Sequence, residues 1–136
     1  MASTTNFRRG FWRLADPKIS LASFASLWLG HCFAAADMPL HWGWVCITVI
    51  GIFAIEVAKN ASGEIVDYHS GTDLAIEDQD RSPFSGGKRV MVDGLLSELQ
   101  TRRIAHWFYA LGIGCGLAIV LLHEWRVLPL GVLGVA

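Results

Sequence analysis

The chain has 136 residues, 53% of them hydrophobic, 17% charged, with a formal net charge of −1 and a mean hydropathy of +0.42. So neutral a balance selects no partner by bulk charge, and a nucleic-acid partner is not expected. Three cysteines, Cys32, Cys46 and Cys115, each stand alone inside an apolar run, which argues against a disulfide framework and against a thiolate metal site. The apolar residues are gathered into runs rather than spread through the chain, the pattern of a membrane protein and not of a globular core.

In chain order, Met1 to Lys18 is polar and basic. The apolar run behind it is too long for the core of a signal peptide, so no cleavable leader is expected. That run, about 19–36, contains no charge and predicts a first membrane span; Asp37-Met38-Pro39 then turns the chain. A second span is predicted over about 42–59, its helix continuing to about Asp67 until Ser70-Gly71-Thr72 breaks it. The loop over about 60–103 holds most of the remaining charge, and Val92, Leu95, Leu96 and Leu99 predict a short amphipathic helix within Val90 to Leu99. A third span, about 104–122, carries Gly112, Gly114 and Gly116, small residues that let a neighbouring helix pack closely. A fourth apolar run, 127–136, is shorter than the ~20 residues a bilayer requires, so the chain is expected to stop inside a helix.

If the three runs cross, Arg126 alone of the eleven Lys and Arg residues lies opposite the other ten. The positively charged side, with the N-terminus and the 60–103 loop, is expected to be cytoplasmic. The fold expected is therefore all-α, a multi-pass transmembrane helix bundle in a single membrane domain.

Chemistry concentrates where the second span ends. Glu56, Asn60, Glu64 and Asp67 fall within about 80° of one another on a helix, giving one face of oxygen ligands able to hold a hard cation. Asp73 follows just after a glycine break, then Arg81-Ser-Pro-Phe-Ser-Gly-Gly-Lys88-Arg89, whose glycines and bases suit an anion although it lacks the Walker pattern. Acids first and bases after is the order a magnesium–diphosphate site needs. The five histidines show no metal-ligand pairing by spacing, and His69 is read as a bystander.

The segment Asn60-Ala-Ser-Gly-Glu64-Ile-Val-Asp67-Tyr68-His-Ser-Gly71-Thr-Asp73 resembles the first aspartate-rich motif of the UbiA superfamily of intramembrane prenyltransferases. It looks most like the branch that prenylates 1,4-dihydroxy-2-naphthoate. Asp80-Arg81-Ser-Pro83 and Ser85-Gly86-Gly87-Lys88-Arg89-Val-x-Val-x-Gly94-Leu-Leu-Ser also resemble that family's loop, whereas Gly63-Glu64 stands where the family usually has Asn-Asp.

The resemblance implies the N-terminal portion of a nine-helix fold in the bacterial inner membrane, as a fragment or split chain without the family's second aspartate-rich motif. It implies transfer of a prenyl group from a polyprenyl diphosphate to an aromatic acceptor in quinone biosynthesis. Asn60, Glu64, Asp67 and Asp73 would hold Mg2+; Arg81, Lys88 and Arg89 would hold the diphosphate; Asp67 and Asn60 would be the catalytic pair. A complementary C-terminal chain and membrane lipid are the other partners implied. The alternative is a non-catalytic small membrane protein that binds lipid or a partner helix bundle. A CDP-alcohol phosphotransferase is set aside, because Asp93-Gly94-Leu-Leu-Ser does not supply its Asp-Gly-x-x-Ala-Arg signature.

Overall fold

The computed structural model describes residues 4–18, 20–75 and 87–135, and over these the chain is all-helical. In order come α1 (Thr4–Ala15), α2 (Leu21–Asp37), α3 (Trp42–Ser70), α4 (Thr72–Ala75), α5 (Glu98–Leu122), a 3-10 turn (Trp125–Val127) and α6 (Leu128–Val135). Among the described residues two helices, α3 and α5, are long and apolar enough to cross a membrane.

α3 and α5 run antiparallel and pack along their length, and small residues set their separation. A Cβ placed on Gly112 would stand 2.5 Å from Ile55 Cδ1, and one on Gly51 would stand 3.0 Å from Cys115 Cβ. The expected role of the small residues thus holds for Gly112, whereas around Gly114 and Gly116 there is open space. At the far end the His123 ring stacks on Trp44, with centroids 4.8 Å apart.

α3 is one helix of 29 residues, about 43 Å at 1.5 Å per residue. It continues well past residue 59 and ends at Gly71, whose φ of +77° gives the left-handed conformation that glycine adopts without strain. The predicted break at Ser70-Gly71-Thr72 is where it falls. The predicted 60–103 loop is correspondingly shorter, because α5 already begins at Glu98. There Ser97 Oγ accepts from the Gln100 N–H while the Gln100 side chain accepts from the Ser97 N–H, a closed capping box.

The amphipathic helix predicted over Val90 to Leu99 does not form. A single turn closes through Asp93 N–H to Arg89 O and Leu95 N–H to Val90 O, Gly94 ends it at φ +66°, and Ser97 starts the next helix. Leu96 is buried and Leu95 half-buried instead of lying along a surface.

The sequence reading assigned no helix to the first eighteen residues, yet α1 occupies them. Its Gly10 fits against Leu95 and Leu96, at distances that leave little room for a Cβ. Leu14 and Ala15 enter the main core with Val57, Ala61, Val90, Leu96, Ile104 and Ala105. This core caps the α3–α5 pair at the end where the charged residues lie. α2 starts beside that end, where Ser23 Oγ donates to Glu56 Oε1 at 2.8 Å, and returns through the Met38–Pro39 turn to the start of α3. It spans 17 residues and buries none of them.

Candidate functional site

The predicted acid face exists on α3. Asn60 and Glu64 are buried, and Glu56 and Asp67 are half-buried, while Ile55, Lys59 and Val66 face outward. What the face meets is protein. Asn60 Nδ2 donates to the carbonyl of Ala15 at 3.1 Å, a carbonyl left over at the end of α1. Glu64 Oε1 accepts the Met91 N–H at 2.8 Å and so holds the turn after the basic residues against α3.

Asp73, in the short helix α4, is 1% exposed and turned back toward the same corner. A Cβ on Gly87 would overlap its carboxylate, and Gly87 adopts a φ of +70°. The loop glycine predicted to let an anion approach therefore approaches the chain's own carboxylate.

Lys88 lies near enough to act electrostatically on both Glu56 and Glu64. Arg89, itself at φ +49°, has its Nε 4.0 Å from Asp93 Oδ1; Arg13 of α1 reaches the other oxygen of Asp93 at 2.7 Å. Glu64 stands beyond the charge-poor part of α3, and its carboxyl is pushed above its ordinary range. Burial is the main cause and the neighbouring Asp73 adds to it; the Met91 and Val90 N–H groups and Lys88 pull the other way.

The structure thus brings Asn60, Glu64, Asp73 and Lys88 into one corner, with Arg89 at its edge. Asp67 is half-buried one turn further along, its carbonyl accepting the Ser70 hydroxyl at 3.1 Å. Arg81 lies outside the described residues. His69 points elsewhere: its Nε2 meets Glu98 Oε1 at 3.2 Å, and Glu98 also takes the Arg102 guanidinium at 2.7 Å. Those contacts, Arg102 first, hold Glu98 below the usual carboxylate range.

Asp93 and Ser23 were missed by sequence reasoning. Their partners Arg13 and Glu56 lie far away in the chain, and no local pattern signals such pairings. On the side of α3 that carries Ile55, away from Asn60 and Glu64, a cleft of about 420 Å³ between α3 and α5 runs from Ile47 to Glu56 and is lined mainly by apolar groups, with Cys115 and Ile119 on its other wall.

Carboxylate and amide oxygens are the donors of a hard cation such as magnesium, so the corner has the right chemistry for that ion. Among the described residues no three of His, Cys, Asp and Glu converge to enclose one. Glu64 and Asp73 lie close enough to act on one another, and Lys88 acts on Glu64. Searches against family models, curated proteins and solved structures return no match to this chain.

Proposed function

We propose that this chain is the N-terminal portion of a UbiA-like prenyltransferase of the bacterial inner membrane, with its N-terminus and the segment between α3 and α5 on the cytoplasmic side. Its reaction would be the magnesium-dependent transfer of a prenyl group from a polyprenyl diphosphate to an aromatic acceptor. One observation carries the reading: buried Glu64 and Asp73 lie beneath the segment that bears Lys88 and Arg89.

In this reading Glu64 and Asp73, with Asn60 and Asp67, are the residues that would hold magnesium. The ion, when bound, would neutralise charge on the departing diphosphate. Lys88, Arg89 and Arg81 would bind diphosphate oxygens. Asn60 and Asp67 would position the reacting end. Completing the site would require further helices, from the same chain or from another.

The test is binding of a short prenyl diphosphate to the detergent-purified chain, with and without magnesium. Magnesium-dependent binding that Glu64→Gln and Asp73→Asn each weaken at least about tenfold supports the proposal. Binding that ignores magnesium refutes it, and no binding by a chain whose helices are intact by circular dichroism favours a membrane scaffold that retains the motif without the site.

A second reading is favoured by the use already made of Asn60 and Glu64. Both hold the chain's own backbone. A membrane scaffold that keeps the motif to clamp α1 and the Gly87–Leu96 segment onto α3, and that binds lipid or a partner bundle, would look the same.

A further inference from the structure

We propose that α1 is an interfacial helix that seats Arg8, Trp12 and Arg9 among the headgroups of anionic lipids. The inference rests on the membrane reading of α3 and α5, but not on the prenyltransferase one.

The depth of α1 follows from its contacts. The Phe11 ring lies 5.7 Å from that of Phe108, and Phe108 in turn lies 6.5 Å from Phe53. Phe53 and Phe108 belong to the apolar stretches of α3 and α5, so the Phe11 side of α1 sits at the level of hydrocarbon. Arg13 is about 200° away around the helix. It pairs at 2.7 Å with Asp93, in the polar turn beyond the end of the bundle. One side of α1 therefore faces bilayer depth and the opposite side faces water, which lays the helix along the boundary between them.

The remaining side is covered by none of the described residues. Gly10, Leu14 and Ala15 are used in packing, whereas Arg8, Arg9 and Trp12 are exposed, Trp12 by 55%. Arg8 and Trp12 are one turn apart, and Arg9 lies on the far side of Trp12. Neither Arg8 nor Arg9 has an ion-pair partner among the described residues. The sequence has no Asp or Glu before Asp16. A tryptophan between two unpaired guanidinium groups at this depth fits lipid phosphates: the indole prefers the interface, and arginine takes phosphate oxygens in a forked geometry. The charge selects anionic over zwitterionic lipid.

The test uses the full chain reconstituted into bilayers of phosphatidylcholine, alone or mixed with phosphatidylglycerol. Alkaline carbonate extraction comes first, and release of the chain from the bilayer would overturn the membrane reading and this inference with it. For retained protein, amide hydrogen exchange over residues 5–15 should slow by about tenfold or more when phosphatidylglycerol is present. Arg8→Gln/Arg9→Gln should abolish that difference while leaving exchange in α5 unchanged; both side chains point away from the core, so the fold is retained. Brominated phosphatidylglycerol should quench the emission that Trp12→Phe removes. Exchange that is equal in the two bilayers, or a difference that survives in the double variant, overturns the proposal and leaves this face for a protein partner.

Discussion

Asn60 and Ala15 stand 45 positions apart, yet the side-chain amide of the first donates to the carbonyl of the second at 3.1 Å in a buried site. The carbonyl has no further turn of α1 to satisfy it, so the amide stands in for the missing backbone donor. Asn60→Ala should cost about 1–3 kcal/mol, the penalty of a buried acceptor left unsatisfied. Asn60→Asp should cost at least as much, since it sets an acceptor against an acceptor. Faster amide exchange in α1, with α5 unchanged, is the expected measurement.

Gly87 and Asp73 should be energetically coupled. Gly87→Ala places a methyl group on the Asp73 carboxylate and also imposes a left-handed conformation on an L-residue, worth about 1–2 kcal/mol by itself. In a double-mutant cycle with Asp73→Ala, the overlap should vanish and the backbone cost should remain. Thermal unfolding in detergent should therefore give a double variant more stable than the sum of the singles predicts.

The glycines of α5 separate by position. Gly112→Ala must displace Ile55 and should destabilise the α3–α5 pair by about 1–3 kcal/mol. Gly114→Ala meets open space and should be neutral or stabilising by about 0.5–1 kcal/mol through helix propensity. Comparing the two by thermal shift in one detergent checks the pair.

Glu64 predicts a pH dependence with a definite sign. Burial raises its value in the folded chain above the ordinary 4.5, so the folded state holds the proton to higher pH than the unfolded state does. Stability from this group is fully present below 4.5 and is lost as pH rises through the raised value. The stability difference between wild type and Glu64→Gln, followed upward from pH 4.5, should therefore move against the wild type. A difference that is flat with pH would place the ionised carboxylate in a fully compensated site.

Helical content, the break after Ser70 and the inward acid face of α3 were all legible, because each is written in local periodicity or in a glycine. In the Val90–Leu99 segment the helical apolar spacing is overridden by Gly94 and by the Ser97-x-x-Gln100 box, which divide it. α1 was invisible for a different reason. Its Gly10 lowers its local helical signal, and its partners Leu95, Leu96 and Asn60 are remote in sequence. The acids' partners were likewise hidden, since a backbone N–H such as that of Met91 carries no mark in the sequence.

The continuity of α3 has a mechanical consequence. Gly51, which sets the seating against Cys115, and Glu64, which holds Met91, belong to one uninterrupted helix about 20 Å apart along its axis. The helix is a lever with its fulcrum where Gly51 meets Cys115. Tilting it by about 10° at Gly51 would swing the carboxylate by about 3 Å, enough to release the Met91 amide. A neighbouring helix pressing on the apolar half would then be felt, by leverage alone, at the polar tip.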